Sequence, residues 1–302
     1  MSFMKMFWLP QDIKQEELLD LTREIGWEVS RILNAYNQNI EKNDQFQRKL
    51  KILNLESGPV TSADIEISEL VKKRIKEQYP NINWDFLSEE DVKNNQKLNF
   101  KSKWVWIIDP IDGTKDFIEQ SGEFAMHMAL TYESEIILSV VPIPSKNQLW
   151  MFFKDRGTWC ETPNTKQNFI IPITLKDIPI NDLTILTSKS HLSSDFESLL
   201  EKLCPKKVVG LGSVGFKVVS ILTGEASLYI SYSSNNGSCP KDWDMAAPFG
   251  LIKGAGGNFT DLYSNDLSFL KDNNFEQRGI LVASLNQNHQ EICKKILDLV
   301  RN

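Results

Sequence analysis

Apolar residues recur at steps of three and four through Leu18, Leu21, Ile25, Val29, Ile32 and Tyr36, which predicts an amphipathic helix with one buried face. The stretch Glu41–Ser57 is polar and charged with a brief apolar touch at Ile52, Leu53 and Leu55, and reads as a mobile or extended connection. A capping-box pattern, Thr61-Ser-Ala-Asp64, announces a second helix carried by Ile67, Leu70, Val71 and Ile75 and stopped by Pro80. Strand patterns follow. Trp104 to Ile108 is a continuous apolar run, and Phe124, Met126, Met128, Leu130 and Tyr132 alternate along one face. Ile136–Ile143 and Leu149–Phe153 extend that sheet. Further on, strands at Leu183–Thr187 and Ser227–Tyr232 alternate with helices at Val214–Leu222 and Asp244–Lys253, an α/β pattern.

No repeat or low-complexity tract interrupts the chain, and Thr162–Asp182 is the predicted seam between an N-terminal domain, residues 1–170, and a C-terminal domain, residues 171–302. The 302 residues suffice for a large core. Hydrophobic residues at 41% and charged residues at 25% sit at globular averages, which excludes disordered and collagen-like classes. A net charge of -6 gives no global attraction to nucleic acid or anionic lipid. The four cysteines, Cys160, Cys204, Cys239 and Cys293, are far apart and form no C-x-x-C pair, which argues against zinc and against a disulfide framework. No apolar run approaches the ~20 residues of a membrane span, and the start lacks the apolar core of a signal peptide, so a cytoplasmic location without membrane or nucleic-acid partners is the expectation.

Chemistry concentrates in Asp109-Pro-Ile-Asp112-Gly-Thr114, where a buried strand runs into a turn bearing two carboxylates. Pro110 fixes its own backbone, so both carboxylates can address one point where a hard cation accepts oxygen ligands, joined by the Ile111 carbonyl. Gly113 allows close approach of a phosphate, and the Gly113 and Thr114 amides would open a helix as an anion cradle. Two more acidic clusters flank this turn in sequence, Glu89-Glu90-Asp91 and Asp242-Trp243-Asp244. Taken singly, each has a plain alternative: Asp109 and Asp112 as turn residues, Glu89 to Asp91 as a solvated loop, Asp64 and Asp244 as helix caps. Their joint occurrence in three distant segments favours a multi-metal centre.

These motifs resemble the inositol monophosphatase superfamily. Asp109–Thr114 matches its D-P-[IL]-D-G-T signature and Trp243–Pro248 its W-D-x-A-A-P/G signature, in the same order. Gly113–Ile118, Ser121–Phe124, Ser188–His191 and Gly215–Lys217 most resemble the 3'(2'),5'-bisphosphate nucleotidase branch. The resemblance implies a layered αβαβα sandwich, with an α+β N-terminal half and an α/β C-terminal half, and a site between them. It implies two to three Mg2+ ions held by Glu89, Asp109, the Ile111 carbonyl, Asp112 and Asp244, with Asp64 holding Thr114 and Thr114 handing its hydrogen bond to a metal-activated water. The scissile phosphate would rest on Gly113 and Thr114, and His191, Ser213 and Lys217 would contact the rest of a small phosphorylated nucleotide.

The implied reaction converts adenosine 3',5'-bisphosphate to AMP and phosphate in a lithium-sensitive monomer or homodimer. The chain departs from the branch at Ser231, where relatives place an arginine. It departs from inositol phosphatases at Gly237, near which those enzymes place a sugar-binding glutamate. An inositol or sugar phosphatase, or a non-catalytic nucleotide- or metal-binding protein, is the alternative.

Overall fold

The computed structural model describes residues 9–10, 13–40, 52–55, 58–94, 98–169, 178–189, 193–233, 237–271 and 274–301. Two large sheets organise them. The first has seven strands in sequence order, β3 (Asp85–Ser88), β4 (Trp104–Asp112), β5 (Ala125–Tyr132), β6 (Glu135–Ile143), β7 (Gln148–Phe153), β8 (Gly157–Thr162) and β9 (Thr165–Phe169). Only β3 and β4 among these neighbours run parallel. Sequential antiparallel order follows from short connections: β5 and β6 are joined through Glu133 and Ser134, both with positive φ (48° and 68°), the backbone a tight two-residue hairpin requires.

The second sheet has the order β11 (Lys207–Leu211), β10 (Thr184–Ser188), β12 (Leu228–Tyr232), β14 (Ile280–Ser284), β13 (Asn258–Asp261). Its parallel pairs, β10 with β11 and β10 with β12, need crossovers, which helices α5 (Ser194–Leu203) and α6 (Val214–Leu222) supply. The remaining two pairs are antiparallel.

Three apolar cores separate five layers. Helices α1 (Gln15–Ile40) and α2 (Ser62–Gln78) cover the outer face of the first sheet through Leu18, Ile25, Val29, Ile67, Val71 and Ile75. Helices α6 and α7 (Asp242–Gly254) fill the space between the sheets, with Val218, Met245, Ala246 and Leu251 in one core with residues from both. Helices α5 and α8 (His289–Arg301) close the far face through Phe196, Leu199, Ile292 and Ile296. Each such fully buried aliphatic side chain contributes roughly 1.5–3 kcal/mol of transfer free energy. The architecture is the αβαβα sandwich expected from the sequence resemblance.

The structure refines several elements. Ile52–Leu55 is a strand, β1, paired antiparallel with β2 (Gly58–Thr61), so this part of the predicted connection is a hairpin arm; 41–51 and 56–57 lie outside the described residues. Strand β9 falls inside the predicted seam, because pairing with β8 continues the first sheet to Phe169. The predicted helix at Asp244 begins at Asp242, which places Asp244 in its first turn.

Candidate metal centre

The site grows out of a fault in β4. Asp109 pairs with His127 and Asp112 with Ala125, so three steps along β4 match two along β5. In a regular strand residues three apart face opposite sides; the extra residue turns both carboxylates to the same side, as bulges next to active sites do. Pro110, which has no N–H to offer the ladder, sits within this bulge. The turn closes with Gly113 at φ +87°, where a Cβ would stand 3.0 Å from the Glu123 carbonyl. The Asp109 carboxylate accepts from Ile111 N (3.1 Å), and the Thr114 hydroxyl donates to the Ile111 carbonyl (3.0 Å). Thr114 then opens the short helix α4 (Thr114–Ile118).

Asp244 enters from α7, where its Oδ2 caps the helix by accepting from Lys241 N at 2.5 Å. One carboxylate oxygen each of Asp109, Asp112 and Asp244 lies within 4.8 Å of the others. Glu89 follows Ser88, the residue of β3 in register with Ile108, so it emerges at the strand ends beside Asp109. It opens the five-residue helix α3 (Glu89–Lys93).

Electrostatics in the nest is severe. Burial, then the neighbouring charges of Glu89, Asp112 and Asp244, push the Asp109 carboxyl well above its ordinary range; burial, then Asp112 and Glu89, do the same to Asp244. Asp112 goes the other way. Burial pushes it up, but His127, Lys217 and Ser213 more than offset this and hold it ionised. Its Oδ2 accepts from Ser213 Oγ (2.5 Å), Val214 N (2.5 Å) and Gly215 N (3.3 Å), the N-terminus of α6, with His127 Nε2 at 3.2 Å. The donor set is all oxygen and crowded with negative charge, which suits a hard divalent cation and not zinc. The residues therefore fit magnesium: Asp109, Asp112 and Asp244 by proximity, Glu89 by placement.

Asp64 is fully buried. Its Oδ2 accepts from Thr61 N and Oγ1, both at 2.7 Å, while Oδ1 has no hydrogen-bond partner. Burial pushes its carboxyl up to about 6. The direct Asp64–Thr114 pairing implied by the resemblance is thus not made: capping α2 takes one side of Asp64, and Thr114 bonds Ile111 instead. Ser213 caps α6 and bonds Asp112. Lys217 is not a solvated helix side chain. It is buried, donates to the Gly212 carbonyl at 2.6 Å, lies 5.2 Å from the Tyr229 ring centroid, and is pushed down to about 8 by burial. His191 lies outside the described residues.

Two residues that sequence reasoning passed over belong to the centre. His127, buried on β5, touches Asp112 and Gly215 N (3.1 Å) through Nε2, and its Nδ1 is placed to donate to the Trp243 carbonyl (3.3 Å). It ties β4, α6 and α7 together. Lys93 brings an ammonium group to Glu89.

Comparison with known proteins fits this geometry. Residues 14–301 match the model of the inositol monophosphatase family. The chain belongs to the inositol monophosphatase family. Among its relatives, the 3'(2'),5'-bisphosphate nucleotidase CysQ of Escherichia coli is 27% identical over 231 residues, covering 76% of this chain and 86% of CysQ. The Salmonella typhimurium CysQ is 24% identical over 273 residues, covering 89% and 98%. The solved structure of the Thermotoga maritima IMPase superposes with a TM-score of 0.71 at 21% identity, covering 94% of this chain and 98% of that one. An IMPase/NADP phosphatase solved with Mg2+ and phosphate superposes with a TM-score of 0.68 at 19% identity, covering 92% and 96%. Among the described residues no helix is long and apolar enough to cross a membrane.

The buried acids give this family member a characteristic pH response when cations are chelated. Asp64 (about 6) and Glu90 (about 7), both raised chiefly by burial, bind more protons in the folded than in the unfolded state between about pH 4 and 7, as do Asp109 and Asp244. Stability therefore falls as pH rises through that window. His289, lowered to about 4 by burial, works in the opposite direction between pH 4 and 6.5 but is one group against four. Thermal melts in chelator are expected to show a lower Tm at pH 7.5 than at pH 5, and Mg2+ is expected to remove most of the difference. A Tm that rises across this range would contradict the assignment.

Proposed function

We propose that this family member is a Mg2+-dependent 3'(2'),5'-bisphosphate nucleotidase that hydrolyses adenosine 3',5'-bisphosphate to AMP and phosphate. The observation that carries the reading is the grouping of Ser213 and the buried Lys217 on one helix with Asp112. Ser213 fixes Asp112 at the start of this helix and Lys217 sets a cation beside the carboxylate nest, in a chain whose relatives include CysQ nucleotidases. A substrate with two phosphates needs cationic groups for the one that is not cleaved.

In this scheme Asp109, Asp112, Asp244 and Glu89, with the Ile111 carbonyl, hold two to three Mg2+ ions. Bound cations neutralise phosphate charge and make a neighbouring water more acidic. The rest falls to the chain. Gly113 and Thr114 at the start of α4 orient the scissile phosphate, and the free Oδ1 of Asp64 accepts from the attacking water, which Thr114 helps to place. Holding water and phosphate in line is positioning, a role that does not require a strong base. The water oxygen bonds phosphorus, the P–O bond to the 3'-oxygen breaks, and the water proton ends on that oxygen. Lys217, His191 and Ser213 select the nucleotide.

The test is phosphate release from adenosine 3',5'-bisphosphate, inositol 1-phosphate and fructose 1,6-bisphosphate, with Mg2+ and with chelator. The expected result is Mg2+-dependent release with the highest kcat/KM for the adenosine substrate. Preference for inositol phosphate or the sugar bisphosphate would overturn the substrate assignment and leave the metal centre in place. No release from any of them, with nucleotide still bound, would point to a binding protein.

A further inference from the structure

Lys93 ends the short helix that Glu89 begins, and its side chain is only 6% exposed. Its Nζ lies 2.9 Å from Glu89 Oε1 and 3.6 Å from Glu90 Oε1. Glu90 is 4% exposed, and its Oε1 is buried without a hydrogen-bond partner. That is an unusual pairing. A buried carboxylate oxygen without a donor is costly, and a three-donor ammonium just beyond hydrogen-bond reach is the group able to satisfy it. The ammonium also sits close enough to Asp64, Asp109 and Asp244 for its charge to act on all three. A cation that takes Glu89 Oε1 displaces Lys93 from that oxygen.

We propose that Lys93 is a tethered counter-ion of the nest: it holds Glu89 while no divalent cation is bound, and passes to the waiting Oε1 of Glu90 when a cation takes Glu89. This rests on the reading of Glu89 as a cation ligand. The exchange needs only a small side-chain shift, because Glu89 and Glu90 are adjacent and Lys93 lies one helical turn away from both. Two consequences follow. Lys93 shields the nest's mutual repulsion in the cation-free protein, and it lowers the apparent affinity for the cation at Glu89, because every binding event includes breaking an ion pair. Lys93 is thus a positioning residue that sets how readily the cation at Glu89 is exchanged.

A double-mutant cycle on Mg2+ affinity, measured by calorimetry on the full chain, tests the proposal. Removing the tethered charge in Lys93→Met is expected to tighten Mg2+ binding about tenfold, and Lys93→Gln, which keeps a polar side chain, is expected to do the same. In the wild-type background Glu90→Gln removes the landing site and is expected to weaken binding several-fold; in the Lys93→Met background it is expected to change nothing. Charges in one network couple in general, so the cycle is run at about pH 8.5, above the value of about 7 to which burial raises Glu90; there a carboxylate acting only through its charge weakens binding on Glu90→Gln in both backgrounds, whereas a landing site does so only while Lys93 is present. Additive effects, or weaker binding in Lys93→Met and Lys93→Gln, would overturn the proposal while Mg2+ binding to the wild type preserved the metal centre. No Mg2+ binding to the wild type would overturn the centre itself, and the proposal with it.

Discussion

Asp112→Asn is expected to reduce phosphate release roughly a thousandfold, the rate equivalent of losing the several kcal/mol of charge stabilisation that a cation gives a phosphoryl transition state. The substitution keeps shape and acceptor capacity, so Ser213 Oγ and the α6 amides retain a partner. It removes only the charge, and with it one source of repulsion on Asp109 and Asp244. It also removes the counter-ion of His127 and Lys217, which outweighs that repulsion, so the metal-free variant is expected to melt lower than the wild type in chelator, while the rise in Tm on adding Mg2+ shrinks or disappears. Steady-state kinetics with paired melts checks this. An inactive variant that keeps the full rise in Tm on adding Mg2+ would show Asp112 acting as a structural anchor rather than as a cation ligand.

Gly215→Ala is expected to cost about a hundredfold in activity, although the residue touches no substrate, because displacement of order 1 Å at a site has that effect. A Cβ at this position would stand 2.4 Å from His127 Nε2 and 2.9 Å from Val141 Cγ1, so the start of α6 must move. The N–H groups of Val214 and Gly215 move with it, away from Asp112. Overpacking of this kind costs about 1–3 kcal/mol, and a measurable fall in Tm is expected alongside. Shortening the neighbour in Gly215→Ala/His127→Ala is expected to recover stability more than activity, since the room returns but the tie from Asp112 to the Trp243 carbonyl does not. Wild-type activity in Gly215→Ala would show that the junction of α6 and β5 is slack and that His127 holds nothing in place.

Much of this centre is legible in the sequence because its parts are local. The apolar run into Asp109-Pro-Ile-Asp112-Gly is one strand, one bulge and one turn, and each residue type announces its own backbone need. The capping box at Thr61 and Asp64 is likewise local, and the structure forms it. His127 was hidden for a physical reason. It occupies the polar phase of the alternation Met126-His127-Met128, which reads as the solvent face of a strand, yet α6 and α7 cover that face and bury Ala125, His127, Ala129 and Thr131 as well. A two-period pattern reports what one sheet does and not what is layered above it. Lys93 was hidden similarly: four residues after Glu89 on a short charged helix, it reads as a solvated ion pair, yet in the folded chain its side chain is buried. The hairpin arm at Ile52–Leu55 and strand β9 were missed because short strands gain their stability from partners, which a four- or five-residue pattern does not show.

Division of the chain into two units meeting at the centre is a proposal that follows from the ligands: Asp109 and Asp112 come from the first sheet, Asp244 from α7, and Ser213 from the start of α6 beyond the seam. Together with Glu89, these carboxylates form the nest in which divalent cations would be held. Calorimetric titration of Mg2+ into chelator-stripped wild type and Asp112→Asn tests it most directly, run in two buffers of different protonation enthalpy. Because Asp109 and Asp244 sit well above the ordinary carboxylate range without a cation, the expected result is saturable binding with release of protons, abolished or much weakened in Asp112→Asn. Absence of saturable binding to the wild type, or equal binding by the variant, would contradict the account.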